Sequence, residues 1–254
     1  MKALLLAAGL GTRLRPITDN IPKCLIDIHG RPLLDYWITL LVNGGIWPIL
    51  INLHHHADKV VEFIHSCPFR DRIATCYEEK LLGTGGTLRQ NRHFFESEKK
   101  EPFMLIHADN LSLFDVKAFQ NSHSNRPDGC EMTMMTFTSP TPHSCGIIEK
   151  DLQGRVLAFH EKVINPPGDL ANGAVYIVEP TLFEYLDTIN RDFIDFSTDV
   201  IASYTGRIFT FHNNIYHRDI GTLESYRAAW QEYPDIEEKN QELFEKDVEK
   251  SFYE

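Results

Sequence analysis

The 254-residue sequence is short of several things, and each shortage removes a class of protein. Its five cysteines, Cys24, Cys67, Cys76, Cys130 and Cys145, are odd in number and scattered, with no C-x-x-C pair. That excludes a disulfide framework and the usual zinc spacing, and points to reduced thiols in a cytoplasmic protein. No apolar stretch approaches the roughly 20 residues of a membrane span. The first apolar run is too short for a signal sequence and lacks a basic lead-in. Positive charge is scarce as well: 25 Lys and Arg stand against 36 Asp and Glu, a net charge of −11. A general nucleic-acid-binding surface is therefore not expected, and any phosphate ligand must meet locally placed cations. H-E-x-x-H and G-x-S-x-G are missing too, so a zinc protease and a serine hydrolase have no support.

What is present reads as one α/β unit. "KALLLA", "WPILINL", "RIATCYEE" and "PFMLIHADN" are strand candidates, the last ending on an acidic residue. They alternate with helical patterns in "PLLDYWITLLVNGG", "ADKVVEFIHS" and the glycine-led "GTGGTLRQNRHFF". Such alternation predicts parallel strands in an open sheet flanked by helices. The second half changes character. "GCEMTMMTFTSP", "GIIEKDLQGRVLAFHEK" (two strands about Gln153-Gly154), "NGAVYIV" and "RIFTFHN" predict antiparallel additions, and Pro180 opens the helix "PTLFEYLDTI". The expectation is a single Rossmann-like domain over 1–230, with a mixed, mostly parallel sheet and a small antiparallel part. An acidic helix over 231–254 follows, read as a solvated terminal helix or as a contact in a homo-oligomer.

The loop "AGLGTRLRPITDNIPK" follows the first strand, so its backbone N–H groups can point at phosphate oxygens, with Gly9 and Gly11 allowing close approach. It is not a dinucleotide fingerprint, because Leu14 stands where the third glycine belongs, nor a P-loop, because G-K-[ST] is absent. It carries Arg13, Arg15 and Lys23 instead, the cations that a triphosphate losing pyrophosphate requires. Asp109, at the carboxyl end of "FMLIHAD", suits a Mg²⁺ ligand, since magnesium takes one or two carboxylates plus substrate phosphates. On local grounds it equally suits an N-cap for the following helix. Asp219, in "HRDIGTLESY", carries the same two readings. The adjacent Glu161 and Lys162 close a strand, where alternation sends them to opposite faces so that they need not neutralise each other. One then accepts from a hydroxyl and the other meets a phosphate, unless they are a surface pair. "HHH" at His54–His56 reads as a polar loop.

Six stretches in order carry a resemblance: "LAAGLGTRLRPITDNIPKCLIDIHGRPLLDY", "EEKLLGTGGTL", "IHADN", "CGIIEKDLQGRVLAFHEK", "NGAVYIV" and "HRDIGTLESY". Over about the first 230 residues the chain resembles the sugar-1-phosphate nucleotidyltransferases, and looks most like the mannose- and heptose-1-phosphate guanylyltransferases. The resemblance implies transfer of a nucleotidyl group from a nucleoside triphosphate to a sugar 1-phosphate, with Mg²⁺ as cofactor. It implies that Ala8, Gly9, Gly11, Thr12 and Arg13 wrap the phosphates and that Lys23 serves the reacting α-phosphate. Glu78, Gly83 and Thr84 fall in the base and sugar-edge loop, and Asp109 and Asp219 hold the metal. Glu161 and Lys162 bind the sugar hydroxyl and sugar phosphate, with Gly146 and Asn172 in the sugar pocket. Catalysis falls to Arg13, Lys23, Asp109 and Lys162. The chain departs from the family's pattern at Ala108, commonly glycine, and at Cys24, often proline. Uridylyl and thymidylyl relatives share the framework, and a non-catalytic regulatory homologue is the remaining alternative.

Overall fold

The structure is a computed structural model, and it describes residues 1–96, 98 and 100–232. Of the acidic helix expected over 231–254, only 231 and 232 are therefore among the described residues.

Thirteen strands and six helices are named in chain order. They are β1 (Ala3–Leu6), the short β2 (Asp27–Ile28) and β3 (Arg31–Pro32), α1 (Leu33–Asn43), β4 (Ile49–Leu53), α2 (Ala57–Ser66) and β5 (Ile73–Tyr77). Next come α3 (Gly83–Gln90), α4 (Arg92–Phe95), β6 (Phe103–His107), β7 (Asn110–Leu113), α5 (Val116–Ser124) and β8 (Met132–Thr138). The last are β9 (Gly146–Lys150), β10 (Val156–Glu161), β11 (Leu170–Val178), α6 (Leu182–Thr188), β12 (Ile208–His212) and β13 (Tyr216–Asp219).

The main sheet is mixed. β5, β4, β1 and β6 lie side by side and parallel, while β11 joins β6 antiparallel and leads on to β8, β9 and β10. β1 and β4 are wholly buried, and apolar apart from Asn52, as strands covered on both faces are. One apolar layer packs Trp37, Ile38 and Leu41 of α1, Val60 and Ile64 of α2 and Phe119 of α5 on the sheet. The opposite layer packs Leu88 of α3, Phe183 and Leu186 of α6, and Phe196, Val200 and Ile201 of a π-helical turn.

Four sequence expectations change. β12, expected among the antiparallel additions, runs parallel to β8. The strand that was to include Asp109 stops at His107, leaving Asp109 in the turn before β7. The glycine-led helix divides at Asn91 into α3 and α4. α6 begins at Leu182 with Thr181 as its N-cap, two residues beyond Pro180.

A second ladder matters more for the site. β13 pairs antiparallel with β7, setting Asp219 opposite Asn110, and Ile220 N donates to Asp109 O at 3.2 Å. Two aspartates 110 positions apart thereby meet beside the carboxyl ends of the parallel strands.

Candidate active site

Neither aspartate caps a helix. The cap of α5 is Asp115, whose carboxylate accepts from Ala118 N at 2.8 Å. The helix that begins at 223 is capped by Thr222 Oγ1, which accepts from Ser225 N at 3.1 Å. Asp109 and Asp219 are free for another task, and both face Lys23. Lys23 Nζ donates to Asp109 Oδ2 at 2.8 Å and stands 3.8 Å from Asp219 Oδ1. The lysine side chain is 8% exposed, yet the two carboxylates keep 43% and 53% of their surface. The cation is pinned and the anions remain open to a ligand.

The electrostatics follow. Burial alone would raise the Asp109 carboxyl, but Lys23's charge and hydrogen bond, with His107 nearby, carry it net below the usual range. Asp219 is pushed up, first by burial and then by the charge of Asp109, against the pull of Lys23, Arg13 and Lys162. Arg13 Nη2 and both Asp219 carboxylate oxygens crowd the position that a Cβ on Gly221 would occupy, 2.7 to 3.2 Å away. Glycine at 221 lets Arg13 and Asp219 share that space.

A cleft of ≈ 210 Å³ opens beside this centre. Ala8, Gly9, Lys23, Glu78, Gly83, Thr84 and Asp109 all line it, together with Asn52, His107 and Phe193. Gly11 has φ +63 and turns the loop over Lys23, where a Cβ would meet Thr18 Cγ2 at 3.0 Å and Lys23 Cβ at 3.2 Å. Thr12 and Arg13 belong to the short 3₁₀ turn that follows. Gly9 has nothing within 4 Å of a Cβ, so its surroundings are open to a ligand.

Asn52 holds the loop's origin. Its Oδ1 accepts from Ala7 N at 2.7 Å and Ala8 N at 3.3 Å, and its Nδ2 donates to Glu78 Oε1 at 2.9 Å. Glu78 also accepts from Thr87 Oγ1 at 2.6 Å and from Leu82 N at 3.3 Å. One buried carboxylate thus couples the glycine loop to α3. Sequence reasoning missed Asn52, although an amide inside the buried run "ILINL" is a signal for it.

The "GTGG" glycines serve packing as well as the cleft. Gly85 N and Gly86 N both donate to Ile194 O, at 2.9 and 3.2 Å, and Ile194 N donates to Leu82 O at 2.9 Å. Thr84 Oγ1 accepts from Phe196 N at 2.8 Å. A strap over 192–196 is thereby clamped across the start of α3, a feature no sequence motif announced.

The sugar-side residues divide. Gly146 sits opposite Glu161 in the β9–β10 ladder, and a Cβ there would strike Phe159 at 2.6 Å and Glu161 Oε2 at 2.8 Å. Glu161 and Lys162 do not point apart, because Lys162 Nζ lies 3.1 Å from Glu161 Oε1. The alternation argument fails because β10 ends at Glu161 and Lys162 takes a left-handed conformation, φ +50, which folds its side chain back. Asn172 spends both polar atoms inside β11: Nδ2 donates to Tyr176 Oη at 2.7 Å and Oδ1 accepts from Ala174 N at 2.9 Å. His54, at the polar loop after β4, has Nδ1 2.8 Å from Glu78 O.

A glycine loop, a pinned lysine and paired carboxylates at the carboxyl ends of parallel strands define the ligand-binding crevice of an open α/β sheet. The chain belongs to the nucleotidyl transferase family, whose model matches residues 2–236. It is 32% identical over 200 residues to the UTP–glucose-1-phosphate uridylyltransferase of Synechocystis, covering 73% of this chain and 51% of that one. It is 28% identical over 190 residues to mannose-1-phosphate guanylyltransferase 1 of Arabidopsis thaliana, covering 74% and 52%. The chain thus spans about half the length of these curated relatives. Among solved structures it superposes on HddC from Yersinia pseudotuberculosis, complexed with GMP-PN, with a TM-score of 0.75 and 25% identity over 91% of this chain and 99% of that one.

Proposed function

We propose that this protein is a sugar-1-phosphate nucleotidyltransferase, joining a nucleoside triphosphate to a sugar 1-phosphate and releasing pyrophosphate. The observation that carries the reading is Lys23, buried and fixed between Asp109 and Asp219 at the mouth of the glycine loop. The acceptor phosphate is already an anion, so no strong base is needed, and the work is positioning and charge neutralisation. Lys23 neutralises the α-phosphate as acceptor oxygen and leaving oxygen exchange in line. Arg13, held beside Asp219, takes the pyrophosphate that leaves. Lys162 brings in the sugar phosphate, and Glu161 accepts from a sugar hydroxyl. Ala8, Gly9, Gly11 and Thr12 wrap the phosphates. Glu78, Gly83 and Thr84 line the base end, and Gly146 and Asn172 shape the sugar side.

The residues fit a magnesium ion: Asp109 and Asp219 are two hard oxygen donors that keep 43% and 53% of their side-chain surface open beside Lys23. Bound there, Mg²⁺ supplies further neutralisation of phosphate charge. Guanylyl transfer to a mannose- or heptose-type sugar 1-phosphate is the preferred pairing, since a 25%-identical neighbour holds GMP-PN. The 32%-identical uridylyltransferase supports uridylyl transfer to a hexose 1-phosphate as the second reading. We place the protein in the cytoplasm, and no helix among the described residues is long and apolar enough to cross a membrane.

The test crosses five nucleoside triphosphates with several sugar 1-phosphates and reads pyrophosphate release. GTP with a mannose- or heptose-type acceptor is expected to give the highest kcat/KM. Absence of release from every pair rejects the reading.

A further inference from the structure

Among the described residues, Leu81 and Phe193 are the exposed large hydrophobic side chains that line the cleft, at 38% and 56% exposure. Single apolar side chains are ordinary on a surface, but two on the wall of one binding cleft are what an apolar ligand group needs. Phe193 is not left out because its segment is loose. Its neighbours Ile194 and Phe196 are wholly buried. Ile194 O accepts from Gly85 N and Gly86 N, Ile194 N donates to Leu82 O, and Phe196 N donates to Thr84 Oγ1. The clamp thus holds the Phe193 ring out at the cleft. Gly83 makes room beneath it, since a Cβ there would strike Ile194 O and stand 3.2 Å from Phe193 Cζ.

The cleft has two chemically different ends. Asp109 follows β6 and Glu78 follows β5, with β1 and β4 between them, about 14 Å at the usual strand spacing. At the first end, Lys23 and the open flank of Gly9 suit phosphates. At the second, the lining carboxylate of Glu78 is buried and already engaged. Its Oε1 accepts from Asn52 and Thr87, and its Oε2 from Leu82 N. Thr84 Oγ1 is likewise taken by Phe196 N. What this end presents to a ligand is glycine backbone and the apolar surface of Leu81 and Phe193. A flat, weakly solvated group fits there, and a nucleotide whose phosphates meet Lys23 carries one, its base.

We infer that Phe193 is a binding residue for the nucleoside triphosphate, its ring packing on the face of the nucleobase. This rests on the nucleotidyltransferase reading. Stacking of this kind does not choose among bases, because every base has a π face. It holds any of them so that the α-phosphate comes to Lys23.

The experiment uses the full chain and measures the Kd of several nucleoside triphosphates and of inorganic tripolyphosphate, which has no base. It compares the wild type with Phe193→Ala, Phe193→Leu and Phe193→Tyr. Phe193→Ala is expected to weaken every nucleoside triphosphate by about 5- to 100-fold, the usual loss when an aromatic ring under a base is cut to alanine, and purines more than pyrimidines. The Kd of tripolyphosphate and the KM for the sugar 1-phosphate should not move. Phe193→Tyr should bind as the wild type does, and Phe193→Leu should fall between. The Tm of Phe193→Ala should stay within about 2 °C of wild type, because the ring is largely outside the core. If Phe193→Ala binds the triphosphates as tightly as the wild type, or loosens tripolyphosphate as much as the nucleotides, the inference is wrong. A wild type that binds triphosphates yet releases no pyrophosphate refutes the nucleotidyltransferase reading and leaves the Kd comparison to decide this contact; one that binds none refutes both.

Discussion

Replacing Gly86 with alanine tests whether the glycines of "GTGG" are there to let the strap approach. Gly86 lies inside α3, where helix propensity alone would reward the change by about 1 kcal/mol. Packing opposes it. A Cβ at 86 would stand 2.7 Å from Asp192 O and 3.0 Å from Leu82 Cβ, where ordinary contact begins near 3.4 Å. The carbonyl is backbone, so it cannot rotate away; the strap must retreat by several tenths of an ångström. That retreat stretches the Gly86 N to Ile194 O bond, already 3.2 Å, past useful length and weakens the Gly85 and Leu82 bonds beside it. Overpacking of this kind costs about 1–3 kcal/mol, and each weakened backbone bond about 1 kcal/mol. After the propensity gain, the net expectation is destabilisation by about 1–4 kcal/mol. At roughly 2–4 °C per kcal/mol for a chain of this size, the melting temperature should drop by about 2–16 °C.

The assay is a thermal melt of wild type, Gly86→Ala and Gly85→Ala side by side. Gly85→Ala is the internal comparison, because its Cβ meets the backbone carbonyl of the strap, Ile194 O, only at 3.3 Å, its nearest obstacle being the Ile194 Cγ2 methyl at 2.7 Å. It should lose less than Gly86→Ala. A Gly86→Ala protein melting at or above wild type would mean that propensity outweighs packing and that the strap is not clamped as described. The pyrophosphate assay on the same samples tells whether the cleft, which Gly83, Thr84 and Phe193 share with this clamp, depends on it.

Four further outcomes are expected. Gly9→Ala, with open space around its Cβ, should leave the melting temperature within about 1 °C while raising the KM for the triphosphate, because the methyl intrudes on the proposed phosphate site. Lys23→Ala should cut turnover by about 10²–10³-fold, the usual loss when one preorganised charge-stabilising donor goes, and full activity in the purified variant would remove Lys23 from the mechanism. Asp109→Asn should abolish most turnover with the fold kept by circular dichroism, since its exposed carboxylate supports no helix cap. His123 is buried between Thr133 and Glu179, and burial, with Arg126 nearby, takes it from the usual 6.5 down to about 3. The unfolded chain therefore binds a proton between pH 6.5 and 3 that the folded chain refuses, so stability from this group is complete above pH 6.5 and is lost as pH falls toward 3, at no more than about 1.4 kcal/mol per pH unit. His123→Gln should melt lower than wild type at pH 7.5 yet decline less steeply between pH 6.5 and 4.5.

Most of the sheet was legible in the sequence because central strands buried on both faces leave largely apolar runs: "ALLL", "ILINL" and "FMLIH" each became a strand. What escaped was whatever depends on long-range pairing. The four-residue strands β7 and β13 have no periodicity to show, yet their ladder brings Asp109 to Asp219 and so decides between a helix cap and a paired site. Locally the two roles of an aspartate look alike, since a lone carboxylate between a strand and a helix suits either. The structure separates them by supplying Asp115 and Thr222 as the true caps. The Glu161–Lys162 reading failed for a related reason. Alternation holds only while the strand continues, and a positive φ one residue beyond its end reverses the direction of the side chain. Phe193 shows the remaining gap. Its residue type was in plain view, but its exposure at the cleft is a property of the folded neighbourhood, and only the clamp between the strap and α3 reveals it.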